Sequence, residues 1–432
     1  MVIYADGKTV EPVQIQLVPC LLTTAQSAYL QALGTRIRRV LNRLLRTYFN
    51  DPVLQQVLPL TEDEQAWIKQ LAPHGFPEPA TVFERLDTNL TADDPEWPKT
   101  FRILEFNSVG VGCLHFMPIA NRLLAERILP MLAPTLDLAT CQPTTDHRLL
   151  LRRTLEQHAK AIGRSTCVTA LVERREASAG GADEILYVSR WLQEQGLPTV
   201  VVDPRELELR NGEVVHHDLV IDVIYRDFNL HEIISIENHG GHVDAVKHAF
   251  RHNQVVSGLT GEFDHKSLLE LLSNPEFERY FTVSQRRTFQ DFMPWTRLLR
   301  ERTTTDPART EVDLVPYVRT HREQLVLKPN RAYGGSDVVI GCDATQAAWE
   351  EALGRALGKP DTWVAQEIAT LPSAEFFNPE NHRSSAPTEF VTIGFTATPH
   401  GIAFVGRSST DRIVNISRGG NLVPIFILRR PS

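Results

Sequence analysis

The string LVLKPNRAYGGSDVVIG, residues 325–341, sets Lys328 at the end of an apolar run, just ahead of Gly334, Gly335 and a second β-branched run. A lysine so placed supplies positive charge. Two adjacent glycines let backbone N–H groups approach phosphate oxygens closely, so the pattern suits a nucleotide-phosphate clamp. The same string also suits an ordinary hairpin carrying a surface lysine.

A second pair of strings carries oxygen chemistry. Arg85-Leu86-Asp87 and Glu105-Phe106-Asn107 both lie in strand-like text. Alternation along a strand puts Arg85 and Asp87 on one face, and Glu105 and Asn107 on one face of the next. Two carboxylates and an amide oxygen that converge form a hard donor set, suited to Mg²⁺ bridging nucleotide phosphates, with Mn²⁺ as the alternative. Two exposed strands with polar outer faces would read alike.

Other chemistries find less support. The run ENHGGHVDAVKHAFRH sets His248 and His252 four apart, with His239 and His242 flanking a Gly-Gly pair. That interval is compatible with a metal on a helix, yet no cysteine joins it and the nearby acids, Glu237 and Asp244, are not at zinc-helix spacing. No G-x-S-x-G elbow occurs, and none of the five cysteines stands in a protease signature, so covalent catalysis is not expected.

The elements that must hold these residues can be read in outline. Residues 24–49 carry Leu30, Leu33, Ile37, Leu41, Leu44 and Tyr48 at helical intervals, opened by a Thr23/Gln26 capping box. The opposite face holds Arg36, Arg38, Arg39, Arg43 and Arg46, read first as a solvated face and second as an anion-binding one. Residues 80–107 read as strand, proline-bearing connection and strand. Residues 115–132 read as helix, and prolines mark a boundary near 135–147. From 166 to 270 short apolar runs alternate with helical text, the mark of a βαβ unit with a parallel sheet; no GxGxxG follows its first strand, which argues against a dinucleotide there. After 280 come the Lys328 string, a helix over 344–357, a strand at TWVAQEIA, a polar loop at 377–388, and strands EFVTIGFTAT and GIAFVGRSS paired across PHG.

Taken in order, R-x-D, E-x-N, Tyr225-Arg226, PWTRLL, VLKPNRAYGG and NISRGGNLVP resemble the circularly permuted ATP-grasp proteins related to glutathionylspermidine synthase, over roughly residues 80–430. The resemblance implies an α/β (α+β) fold with a Rossmann-like subdomain before the nucleotide-binding part. In ordinary ATP-grasp enzymes the metal-binding acids follow the phosphate-binding lysine. Here they precede it by more than two hundred residues, hence the permutation. Three sections are expected: 1–147 with an N-terminal helical segment and the metal-ligand strands, 148–275 as the Rossmann-like part, and 276–432 as the nucleotide-binding part with a C-terminal return.

The resemblance also assigns roles. Asp87, Glu105 and Asn107 would hold Mg²⁺, Arg85 and Arg418 would act on the transferred phosphoryl group, and Lys328 would bind the ATP phosphates beside Gly334 and Gly335. Gln366, Glu367 and Ile368 would receive adenine, with Asn415 of NISRGG also at the nucleotide. Arg226, ending the strand DVIYR, is the candidate for a substrate carboxylate, since a guanidinium matches it bidentately; pairing with Asp222 or Asp227 is the alternative. The second nucleotide lysine of many ATP-grasp proteins has no counterpart between 281 and 328, where only arginines such as Arg297 occur. The implied activity is an ADP-forming ligase joining a small-molecule carboxylate to an amine through an acyl phosphate. The alternatives are a kinase-like transferase on the same site and a non-catalytic nucleotide-binding protein.

Composition sets the outer bounds. The chain's 432 residues exceed the size of a single core, so several subdomains are expected. A net charge of −8 argues against nucleic acid as the main partner. Five scattered cysteines without CxxC spacing point to a reducing compartment, the cytoplasm. No apolar run approaches the ~20 residues of a membrane span.

Overall fold

The structure is a computed structural model; it describes residues 2–5, 10–132, 140–175, 184–376 and 387–429. The helix Thr24–Leu45 forms where the apolar spacing placed it, with Leu30, Leu33, Ile37, Leu41 and Leu44 buried and the Thr23/Gln26 capping box closed in both directions. It lies against a six-stranded antiparallel sheet. Gly34 permits that approach, because a Cβ there would stand 2.8 Å from the Cβ of Ala397.

That sheet joins the two ends of the chain. Its path runs through Asn421–Val423, Gly401–Ser409, Thr388–Thr398, Arg85–Thr88 and Ile103–Asn107, with Ser373–Glu375 pairing on Thr388–Thr398. Leu86 and Phe106 point into the core shared with the Thr24–Leu45 helix. Strand alternation therefore sends Arg85, Asp87, Glu105 and Asn107 to the opposite face.

Between these sequence-distant strands sits a parallel sheet in the order Val255–Val256, Val223–Asp227, Thr169–Glu173, Thr199–Val202. Its text is apolar on both faces because both are covered: Leu171, Val223 and Tyr225 face one cluster, Ala170, Val172 and Ile224 another. An antiparallel three-stranded insert over 208–220 interrupts the alternation expected there.

A third sheet carries the lysine string, in the order Thr296–Leu298, Trp363–Glu367, Leu325–Pro329, Val339–Ile340. Helices Leu314–Thr320 and Gln346–Leu357 cover one face around the buried Trp349. Leu325 and Leu327 join that cluster, which turns Val326 and Lys328 to the other side.

Among the described residues no helix is long and apolar enough to cross a membrane, and all five cysteines are free. The polar loop expected at 377–388 falls almost wholly outside the described residues, as do residues 135–139 of the proline-marked boundary near 135–147.

Candidate functional site

The strands Arg85–Thr88 and Ile103–Asn107 pair with Arg85 opposite Asn107 and Asp87 opposite Glu105. Directly opposed residues of an antiparallel pair share a face, so four polar side chains fall side by side. Arg85 donates Nε to Asp87 Oδ1 at 2.7 Å and Nη2 to Oδ2 at 3.1 Å. Asn107 donates Nδ2 to Asp87 Oδ2 at 3.1 Å, leaving its Oδ1 as an acceptor toward the cleft. On the neighbouring strand Gly394 stands opposite Asp87, and a Cβ there would lie 2.5 Å from Asp87 Oδ1. A side chain at 394 would push the carboxylate away.

The second wall comes from the lysine sheet. Lys328 and Gln366 turn toward the same space, with Lys328 Nζ donating to Gln366 Oε1 at 2.6 Å. Burial pushes the Lys328 ammonium down to about 8, against the pull of Glu105 and Asp87, which favour its charge. Gly334 and Gly335 take positive φ, 71° and 74°, a conformation glycine adopts without a Cβ penalty. The cleft between the walls holds about 200 Å³ and is lined by Arg85, Asp87, Glu105, Asn107, Lys328, Gly334, Gly335, Gln366, Glu367, Ile368 and Asn415. One space therefore collects eleven of the thirteen residues singled out from sequence.

Three further cations, not found from sequence, line it as well: Lys266, Arg407 and Arg412. Arg407 donates to Asp87 Oδ2 at 3.0 Å from the strand Gly401–Ser409. Burial pushes the Asp87 carboxyl up, but Arg407 and Arg85 outweigh it and hold the group well below the usual carboxylate range. A lone arginine in the buried strand text GIAFVGRSS was the signal available for it, since such a residue is rarely buried unpaired. Lys266 lies 3.0 Å from Glu105 Oε1 and donates Nζ to the Ala332 carbonyl at 2.5 Å. It stands in the chain ahead of residue 281, outside the 281–328 stretch in which only arginines such as Arg297 occur. Its string, EFDHKSLLELL, holds no periodicity that would single it out.

Charge decides what the cleft can hold. Five lining cations, Arg85, Lys266, Lys328, Arg407 and Arg412, meet three carboxylates, Asp87, Glu105 and Glu367, which leaves two positive charges in a chain whose net charge is −8. A polyanion is the complementary ligand. The donors present are of the kind that would suit a divalent ion: Asp87, Glu105 and the free Asn107 oxygen are hard oxygen groups, and Mg²⁺ commonly binds through one or two carboxylates with phosphate and water completing its shell. Among the described residues no group of three or more His, Cys, Asp or Glu is placed to hold a metal, so any ion here depends on the amide and on its ligand.

Arg226 requires a correction. It is wholly buried beside the parallel sheet, in an ion pair with Glu262, and it donates to the carbonyls of Ser257, Phe228 and Gly258 at 2.6, 3.0 and 3.0 Å. Its fork is spent on the protein, so it is not placed to meet a substrate carboxylate; neither Asp222 nor Asp227 is its partner. Arg418 stands at the rim: its side chain is 43% exposed, 3.9 Å from Asp411, and it does not line the cleft. Its turn does pack on the glycine loop, for the Arg418 Cδ lies 3.7 Å from the position of a Cβ on Gly335. Arg297 is buried, donates to Thr296, Thr304 and Thr305, and is pushed down to about 10 by that burial. His248 and His252 stack at 3.9 Å, and among the described residues they complete no metal-holding group.

No family model matches the chain, and no curated protein does. Among solved structures it is similar to a glutathione synthetase-like effector from Globodera pallida in its apo form, with a TM-score of 0.64 and 10% sequence identity, covering 99% of this chain and 93% of that one. At that identity the likeness is one of fold. The shared fold extends over nearly the whole length, including the first eighty residues, which the sequence resemblance left out.

Proposed function

We propose that the chain is an ADP-forming ligase that activates a carboxylate with ATP and joins it to an amine, on a circularly permuted ATP-grasp scaffold divided near 1–147, 148–275 and 276–432. The observation that carries this reading is the single cleft in which Asp87, Glu105 and Asn107 face Lys328 and the 334–335 glycines with two surplus positive charges. A metal-bound nucleoside triphosphate carries a matching double negative charge. The odd, scattered and free cysteines favour the cytoplasm as its place of action.

The residues divide the work by position. Gln366 and Glu367, at the end of the strand Trp363–Glu367, and Ile368 just beyond it offer the strand's exit to adenine. Lys328, Lys266 and the glycine-loop backbone take the phosphate chain. Arg85 and Arg407, fixed by Asp87, stand where charge grows on the moving phosphoryl group, and Arg418 approaches from the rim. Mg²⁺ or Mn²⁺, held by Asp87, Glu105 and Asn107, would supply Lewis-acid neutralisation of the phosphate oxygens. A substrate carboxylate attacks the γ-phosphorus, ADP leaves, and the amine displaces phosphate from the acyl phosphate to give the amide. Positioning and charge neutralisation suffice for both steps.

Hydroxylamine tests the reading against phosphoryl transfer to a hydroxyl. With ATP, Mg²⁺ and a panel of carboxylates, the ligase gives a hydroxamate in step with ADP. ADP formed alongside a phosphorylated acceptor that hydroxylamine leaves intact would assign the cleft to a kinase.

A further inference from the structure

A second concave site lies on the other side of the antiparallel sheet. A groove of about 810 Å³ runs along the Thr24–Leu45 helix, closed by the 79–82 segment, the helix His147–Ala161, the start of the helix Val283–Phe292 and the turn at Ala397–Pro399; it shares no lining residue with the ATP cleft. Five arginines line it, at 36, 38, 39, 43 and 46, and no carboxylate does.

Partners account for two of the five. Arg38 pairs with Glu84 and Arg46 with Glu78, from outside the lining. Arg43 donates only to the Tyr280 carbonyl at 3.0 Å. Arg36 and Arg39 make no hydrogen bond or ion pair among the described residues. Three positive charges therefore stand uncompensated along one groove of a chain whose net charge is −8.

Spacing sharpens the point. Arg36, Arg39, Arg43 and Arg46 follow steps of three, four and three, one stripe about 15 Å long on the helix. Like charges at those intervals repel and weaken a helix. An anion spanning the stripe removes the repulsion. Across the groove Thr282 caps the ten-residue helix Val283–Phe292, whose first turn adds partial positive charge and includes lining residues Ser284 and Gln285.

We propose that this groove is a second ligand site, for a small multiply charged anion of the phosphate or polycarboxylate kind, held by forked arginine donors. Its floor reaches the ATP cleft through one side chain. Arg38 pairs with Glu84, next to Arg85, and donates to Ser108 Oγ at 3.3 Å, next to Asn107. An anion that draws Arg38 away alters the support of the strands carrying the cleft's polar face, so occupancy of the groove tunes the cleft.

Titration calorimetry at physiological salt, with inorganic pyrophosphate and with citrate, tests the site on the wild type, on Lys328→Ala, and on the triple variant Arg36→Gln/Arg39→Gln/Arg43→Gln. All three arginines are exposed, so the triple variant keeps the core. Wild type and Lys328→Ala bind one anion in this groove, and the triple variant weakens that binding by about tenfold or more. The tighter of the two probes identifies the ligand as phosphate- or carboxylate-based. Unchanged binding in the triple variant, or loss of all binding in Lys328→Ala, overturns the proposal, since either places the anion in the cleft alone. Thermal denaturation gives an independent reading. Pyrophosphate raises the midpoint of Lys328→Ala but not that of the triple variant combined with Lys328→Ala; an equal rise in both would also overturn it.

Discussion

Asp87 and Glu105 are both acids of the same cleft, yet their environments predict different losses. Asp87 is buried between Arg85 and Arg407. Asp87→Asn leaves two buried guanidinium groups short of a counter-charge, and breaking such a pair typically costs about 3–5 kcal/mol. Chemical denaturation should show most of that loss. Glu105 is partly exposed and, among the described residues, its ion pair is with Lys266, so Glu105→Gln should abolish turnover with the melting transition nearly unchanged, as should Asn107→Ala. A collapse of the Glu105→Gln transition would make that carboxylate structural. Lys328 gives a pH test. Its ammonium is the form that binds phosphate, and burial brings its loss of charge down to about pH 8. Affinity for ATP should therefore hold below that value and fall as pH rises through it. Lys328→Arg, which stays charged, should flatten the profile. The shared phosphate also ties Lys328 to Arg418: Lys328→Ala should weaken ATP binding and turnover together, while Arg418→Ala, at the rim, should lower turnover by the smaller factor. Strand alternation made the shared faces of Arg85 with Asp87 and of Glu105 with Asn107 legible, because it is a local pattern, while their grouping with Lys328 in one site came from the family resemblance. Arg407 and Lys266 were not legible, because what marks them is a partner more than a hundred and fifty residues away. Arg226 misled for the same reason: nothing near it in the chain shows that Glu262 occupies it.

At the scale of elements, the glycine loop is held by what surrounds its entrance. Arg331 reaches Glu64 at 2.5 Å, Ala332 receives Lys266, and Tyr333 donates to Asp264 Oδ1 at 3.0 Å. Glu64 belongs to the helix Glu62–Leu71, where it also closes a capping box with Thr61. Glu64→Gln removes the ion pair while an amide can still serve the cap. It should raise the KM for ATP several-fold more than it lowers kcat, and increase proteolytic cutting near 331–338. Equal cutting in both proteins would mean that the other two anchors suffice. Gly394→Ala acts from the opposite wall, because its Cβ would crowd Asp87 Oδ1; turnover should drop with ATP affinity less affected. Helical periodicity revealed the Thr24–Leu45 helix and its cap, and alternation revealed the 388–409 hairpin. Short strands such as Thr296–Leu298, and the insert over 208–220, escaped because three residues carry too little period to read.

The whole molecule closes through its ends. Cys20–Thr23 pairs parallel with Ile425–Leu428, and the polar face of the cleft is built by strands that stand some three hundred residues apart in the chain. Such non-local pairing is invisible to any window of sequence, which is why the order of motifs suggested a permuted scaffold while the sheet itself had to be seen. The functional claim is equally global, for it needs both walls to act on one phosphoryl group. Oxygen transfer tests it most directly. With a substrate carboxylate labelled with ¹⁸O, the account predicts one labelled oxygen in the phosphate released for each amide formed, because the attacking carboxylate oxygen leaves with phosphorus when the amine enters. Unlabelled phosphate released together with product would contradict it.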